Sequence, residues 1–356
     1  MYIALMMILS LFLLCCGSST SVIPDCGTDI SVKRILEEPP IPDEPERVSV
    51  ELRFDNKAIV VTIAGTDRKT TYFYSQDGGN TWFHDALYQK LRAWQTHVLR
   101  DGEVLPWSPN PADPAVRYRT IHFPEQKSYN ERSTDGGKNW TRMKGLIEGC
   151  TAEIDKGGAY FYHPRDRLTL YLNSFLPCLN SEVMFVSVDG GDSFRPMYEA
   201  AGSPALAISQ SNPQVMYGAG TAGSLLKSTD GGKLWDLVGQ NDLIRKTYVR
   251  RAAAGSEAPG KLFDEWPTDI DDIAIDPVDV NRVYLATSKG ILCTENGGDT
   301  WFILNTGIEK ARAIHSVVIA PGQPDILLVG TYKGLMRSTD RGCHWEWIDV
   351  MSRVHK

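Results

Sequence analysis

Six times along its 356 residues the chain returns to one eight-residue pattern: a hydroxyl residue, then Asp or Asn two positions on, glycine at position five, and an aromatic at position eight. The instances run Ser75–Trp82, Ser133–Trp140, Ser187–Phe194, Ser228–Trp235, Thr294–Trp301 and Ser338–Trp345. A catalytic group is needed once, whereas a group repeated six times is architecture. Each position has a physical reason. The carboxylate or amide oxygen at Asp77, Asp135, Asp189, Asp230, Asn296 and Asp340 can accept hydrogen bonds from the N–H groups of its own turn. Glycine supplies the positive φ that closes the turn. The aromatic at Trp82, Trp140, Phe194, Trp235, Trp301 and Trp345 opens the next strand, where it can pack between sheets.

Short apolar runs precede the boxes, among them Tyr72–Tyr74, Val183–Val186, Leu225–Leu226, Ile291–Leu292 and Leu335–Met336, so each box reads as a hairpin corner. Ahead of the last boxes the unit is fuller. Ile273–Pro277, Arg282–Thr287 and Gly290–Leu292 match Val317–Pro321, Asp325–Gly330 and Gly334–Met336, with Ala205–Ile208, Gln214–Gly218 and Ser224–Leu226 as a third copy. Each unit is strand, turn, strand, loop, strand, box, strand. Four short antiparallel strands repeated around an axis predict an all-β fold: a six-bladed β-propeller of four-stranded antiparallel blades. A seventh blade without a box would need sequence that the chain hardly has to spare. Ring closure is expected between a strand near 47–54 and the C-terminal 345–350.

The repeat resembles the Asp-box (BNR) family of propellers over roughly residues 46–350. Its fuller unit is most similar to the photosystem II stability/assembly factor branch, and more distantly to bacterial sialidases and sortilin-type receptors. The resemblance implies the fold strongly and the activity weakly, because the family spans enzymes and non-enzymes. A sialidase-like or other glycoside hydrolase would need an arginine triad around a substrate carboxylate, a Tyr–Glu pair and an acid near the axis. The Arg-Ile-Pro motif of such enzymes is absent from the first blade region, which has Arg53 alone. Tyr248, Arg250 and Glu257 crowd one insertion, where separate blades should supply those roles.

Ahead of the repeats lie two different segments. Residues 1–14 are almost wholly apolar, too short to span a bilayer and of signal-peptide length. Leu13-Leu14-Cys15-Cys16-Gly17 resembles a bacterial lipobox, which implies lipidation of Cys16 after cleavage. The organisation expected is a lipoprotein-type signal at 1–16, a Pro-rich disordered tether at 17–45 and the propeller at 46–352. That places the protein in the cell envelope, periplasm-facing and held to the membrane through its N-terminal lipid. Export permits disulfides. Cys150 and Cys178 fall in one repeat and are the candidate bridge, whereas Cys293 and Cys343 sit at non-equivalent positions that define no pair. No Cys/His spacing points to a metal and no motif to a cofactor. A net charge of −7 with scattered basic residues argues against nucleic acid.

If every box joins strands three and four, all boxes share one rim, and blade-to-blade connections emerge on the other. The aromatics are spaced 58, 54, 41, 66 and 44 apart, so the first, second and fourth intervals carry extra residues. Residues 83–114 and 241–269 belong to that second rim. Trp94, Trp107, Arg245, Arg250, Arg251 and Trp266 are the candidate partner-binding residues there. The arginines could equally pair with Asp264, Glu265, Asp271 or Asp272. The expected function is a non-catalytic, monomeric binding or assembly platform for a protein or peptide. The alternatives are a sialidase-like glycoside hydrolase and a periplasmic immunity or inhibitor lipoprotein.

Overall fold

In the computed structural model, the residues described are 47–52, 57–64, 70–86, 103–106, 110–122, 129–148, 160–176, 181–199, 205–238, 247–249, 269–304 and 314–355. They form a six-bladed β-propeller. Blade 1 holds β1 (Arg47–Leu52), β2 (Ile59–Ala64), β3 (Thr70–Ser75) and β4 (Phe83–His84). Blade 2 holds β5 (Glu103–Pro106), β6 (Arg117–His122), β7 (Tyr129–Ser133) and β8 (Thr141–Arg142). A separate strand, β9 (Leu146–Ile147), precedes blade 3, which holds β10 (Tyr160–Tyr162), β11 (Leu170–Leu176), β12 (Ser181–Ser187) and β13 (Ser193–Glu199). Blade 4 holds β14 (Leu206–Ile208), β15 (Met216–Ala219), β16 (Leu225–Ser228) and β17 (Asp236–Leu237). A second separate strand, β18 (Thr247–Val249), precedes blade 5, which holds β19 (Ile270–Ile275), β20 (Val283–Thr287), β21 (Gly290–Thr294) and β22 (Trp301–Ile303). Blade 6 holds β23 (Ile314–Ala320), β24 (Gln323–Thr331), β25 (Gly334–Ser338) and β26 (Glu346–Ile348).

Within each blade the four strands pair in sequence order and antiparallel, and all six boxes join the third strand to the fourth. They therefore share one rim with the turns that join first strands to second.

Blades 1, 3 and 5 carry a further, parallel strand outside their fourth. Strand β9 runs beside β13 with Ile147 opposite Phe194, and β18 runs beside β22 with Thr247 opposite Trp301. At blade 1 the same place is taken by the C-terminus, where Val354 bridges to Trp82. Trp82 N donates to the Arg353 carbonyl at 3.1 Å, and His355 N donates to the Trp82 carbonyl at 2.8 Å. Closure thus differs from the expectation. Strand β1 pairs only with β2 of its own blade, β26 pairs with β25, and the chain end crosses instead to the outer edge of blade 1. Strand β1 is the inner edge of blade 1 and β26 the outer edge of blade 6, so the two lie at opposite radii and do not meet.

The apolar core lies between blades. Val48, Val50, Val61 and Trp82 of blade 1 pack against Val318, Leu328, Leu335 and Ile348 of blade 6. Equivalent clusters join blades 5 and 6 through Leu304, Val317 and Trp345, and blades 4 and 5 through Tyr217, Val283 and Trp301. At these seams the strand faces of one blade are covered by the next, with no helix needed to bury them. Polar pins cross the same seams. Tyr217 Oη and Lys227 Nζ of blade 4 donate to the Gly297 carbonyl of blade 5 at 2.9 and 2.7 Å. Arg132 of blade 2 donates to the Asp189 carbonyl of blade 3. Gly191 shows why glycine is needed at such a seam: its φ is +97°, and a Cβ there would overlap Met143 of the neighbouring blade.

Among the described cysteines, Cys343 is disulfide-bonded and the buried Cys293 is not, so the two are not paired with each other.

Candidate functional site

The boxes must be accounted for first, since they hold most of the aligned carboxylates. In blade 1, Ser75 Oγ donates to Asp77 Oδ1 at 2.8 Å and accepts Gly79 N at 2.8 Å. Asp77 Oδ1 also accepts Asn80 N and Thr81 N, each at 3.0 Å, while Oδ2 accepts the Thr81 hydroxyl at 2.6 Å. The pattern recurs at Asp189, at Asp135 with Asn139 Nδ2 in place of the hydroxyl, and at Asp340 with His344 Nδ1 there. Asn296 keeps the pattern with an amide. Burial alone would raise the carboxyl of Asp77 or Asp189, but donors from Thr81 or Ser193 and their neighbours outweigh it and hold both below the ordinary range. At Asp135 the Asn139 N–H is the largest cause of a lowered value. Most of the acceptor capacity of such a carboxylate is taken up by its own turn. These residues are structural.

Blade 4 departs from the rule at one position. Where the other boxes carry Thr81, Asn139, Ser193, Thr300 and His344, it has Leu234. Asp230 Oδ1 still accepts Lys233 N and Leu234 N, each at 3.0 Å, but the side-chain donor to its second oxygen is gone. Leu234 stands 74% exposed.

Among the described residues a concave feature is the axial channel, about 400 Å³, walled by the first strands of five blades. Phe161 of β10, Leu206 and Ile208 of β14, Ile273 and Ile275 of β19, and Val317 and Ile319 of β23 give it an apolar wall. Gln210, Pro277, Pro321 and Gly322, which lie just beyond those strands on the box rim, line its end. Two carboxyl groups interrupt the wall, Glu51 of β1 and Asp272 of β19.

Asp272 differs from every box carboxylate. Its Oδ2 accepts Val317 N of blade 6 at 2.9 Å, and its Oδ1 accepts its neighbour Ile273 N at 2.9 Å. It keeps some surface toward the channel, yet protein surrounds it on all sides, and this desolvation is the main cause that pushes its pKa up to about 7. The two N–H groups pull the other way, and the negative charges of Glu51 and Asp271 add to the rise. Its position is set by the chain pairing: the register of β19 shifts between Ile270 and Asp272, leaving Asp271 as the extra residue of a bulge. Strand β23 shifts at the equivalent place, and there Ser316 Oγ accepts Val50 N of blade 1 at 2.9 Å. Asp272 and Ser316 are thus matching pins that cap the inner edge of the next blade's first strand.

The residues singled out from sequence fare differently. The box residues are brought to six equivalent corners. Trp94, Trp107, Arg245, Arg250, Arg251 and Trp266 lie outside the described residues, as do Cys16, Cys150 and Cys178. Asp272, one of four carboxylates offered as partners for those arginines, accepts backbone N–H groups in the channel. Sequence reasoning missed Asp272 and Glu51 as channel groups. A signal existed: aligned on their Pro277 and Pro321 turns, the inner strands place Asp272 opposite Ser316, a polar residue in an otherwise apolar strand.

No protein-family model matches the chain, and no curated protein matches its sequence. Among solved structures it is similar to an ancestral GH74 enzyme, at 15% identity over 69% of this chain and 31% of that one, with a TM-score of 0.44. The GH74 enzyme of Niastella koreensis aligns at 14% identity over 86% of this chain and 54% of that one, TM-score 0.44. YCF48 from Cyanidioschyzon merolae aligns at 14% identity over 88% of each chain, TM-score 0.41. The chain spans about a third and about half of the length of the two GH74 proteins. None of the three reaches a TM-score of 0.5, so what this protein does rests on its own residues.

Proposed function

We propose that this protein is a non-catalytic binding platform of the cell envelope, built on Asp-box repeats and recognising a protein or peptide partner. The observation that carries the reading is the axial channel: an apolar wall interrupted by two carboxyl groups, on a ring whose seams are pinned and whose corners are self-satisfied. A rigid scaffold of this kind suits recognition of a side chain or extended segment entering along the axis. The rim opposite the boxes, with insertions 83–114 and 241–269, would supply further contacts.

The test is capture of a partner from native envelope by the mature chain beside two variants. One is shortened between 250 and 268, which spares the edge strand β18. The other is Ile208→Glu, which places a charge in the channel wall. Loss of the captured protein with either variant, while both remain folded, supports the platform. Full retention with both would remove it.

One observation favours a second reading, glycoside hydrolysis. A carboxyl raised to about 7 holds its proton near neutral pH, as a general acid must. Turnover of an aryl glucoside or sialoside that disappears in Asp272→Asn would establish it over the platform.

Membrane attachment is a separate proposal, resting on the lipobox-like run before Cys16. Cys16→Ser is expected to move the protein from the membrane to the soluble fraction of lysed cells. Unchanged membrane association would overturn lipidation at that residue.

A further inference from the structure

The outer edges of the blades fall into two kinds. On blades 1, 3 and 5 a parallel segment of this same chain covers the fourth strand, meeting the box aromatic (Trp82, Phe194 or Trp301). Those three aromatics are 0%, 2% and 0% exposed. On blades 2, 4 and 6 no described residue pairs outside the fourth strand, and on blade 4 Trp235 is left partly exposed. Beside it stand Leu234, 74% exposed, and Leu237, 49% exposed. Leu234 occupies the one box position in six where a side chain that hydrogen-bonds the carboxylate or amide has been exchanged for an apolar group. The local fold loses a hydrogen bond by that exchange and leaves an apolar side chain in water next in sequence to a partly exposed tryptophan.

Chain length shows that the covering segment does not come from the matching connection. The covers of blades 3 and 5 come from connections of 17 residues (143–159) and 32 residues (238–269). The connection into blade 4 is six residues, 200–205. A blade of four strands is about 14 Å wide. If three of those six residues paired at the outer edge, the remaining three would span about 10 Å. They could not return to β14 at the axis.

We infer that the outer edge of blade 4 is a docking edge for an extended segment of another protein. That segment runs parallel to β17 and presents an apolar residue to Leu234, Trp235 and Leu237. The backbone bonds would be those the chain itself makes at blade 3, where Leu146 N donates to the Asp192 carbonyl and Glu148 N to the Phe194 carbonyl. This inference rests on the binding reading above and names a surface for it.

The test uses the full mature chain and the synthetic peptide Lys-Gly-Leu-Ile-Glu-Gly, the sequence of residues 144–149. Hydrogen exchange is followed along the chain at millimolar peptide. Saturable protection of 234–238 is expected, with no change at the covered edges β4, β13 and β22. A peptide with Pro in place of its Glu lacks the second donor and should give none. Leu234→Thr restores the box hydroxyl, so it should raise Tm while weakening the peptide at least about fivefold. A merely structural leucine would move Tm alone. Absence of protection, or protection indifferent to Leu234→Thr, overturns the docking edge. Envelope capture separates the two proposals: a partner retained by Leu234→Thr but lost with Ile208→Glu leaves the platform standing and removes this edge.

Discussion

Asp189 and Asp272 are the same residue in two regions of one ring, and the contrast between them separates architecture from site. Asp189 sits in a corner that recurs around the rim, takes its donors from the four residues that follow and from Ser187, and is held low. Asp272 stands in the channel, takes a donor from another blade, and is pushed up to about 7. A carboxylate whose partners are local can be copied wherever the eight-residue pattern is copied. One whose environment is assembled from three blades cannot be, and its protonation reports the closed ring.

The largest expected effect breaks the first half of this contrast. Asp189→Ala strips acceptors from two backbone N–H groups and two hydroxyls, and should cost about 3 kcal/mol in denaturant unfolding. A loss under half a kcal/mol would mean that water replaces the carboxylate and that the corner does not depend on it.

A somewhat smaller effect sharpens the second half. In the folded protein Asp272 keeps its proton between about pH 4 and pH 7, where the unfolded chain has released it. Stability is therefore expected to fall as pH rises through that window, and to level off above it. Asp77, Asp135, Asp189 and Asp230 have the opposite sign: lowered in the fold, they contribute fully above about pH 4 and lose that contribution as pH falls. Asp272→Asn should flatten the neutral slope by about 2 kcal/mol between pH 5 and pH 8 and leave the acid limb unchanged. An unaltered slope in that variant would show that Asp272 titrates as an ordinary surface carboxyl.

The smallest effect lies within the repeat itself. Leu234→Thr, which returns the missing donor to Asp230, should stabilise the protein by about 0.5–1 kcal/mol. Thr81→Leu, the reverse exchange in blade 1, should cost a similar amount. Equal and opposite shifts would place Leu234 among residues kept for something other than stability. A destabilised Leu234→Thr would instead make the leucine part of the packing.

Much of the fold was legible because its unit is local. The spacing from Ser75 to Trp82 encodes a turn whose hydrogen bonds close within eight residues, so six matches already imply six corners and the rim they share. The closure was misread for the opposite reason. Whether the chain end pairs with β1 or crosses to Trp82 depends on how far residues 349–355 reach around the ring, and no local pattern states that. Part of the fourth insertion, read as a binding loop, proves to cover an outer edge at Thr247–Val249. Its three residues differ in no way from a short loop strand until blade 5 is beside them.

By itself, then, the amino-acid order determined the number of blades, the corner chemistry and the structural role of the repeated aspartates, since each depends on neighbours a few positions away. Only the tertiary structure decided which carboxyl group is lifted, which edges are covered and how the ring shuts. Those properties come from groups far apart in sequence, Glu51, Asp272 and Val317 at the axis, Trp82 and Val354 at the seam, that meet only when the circle closes.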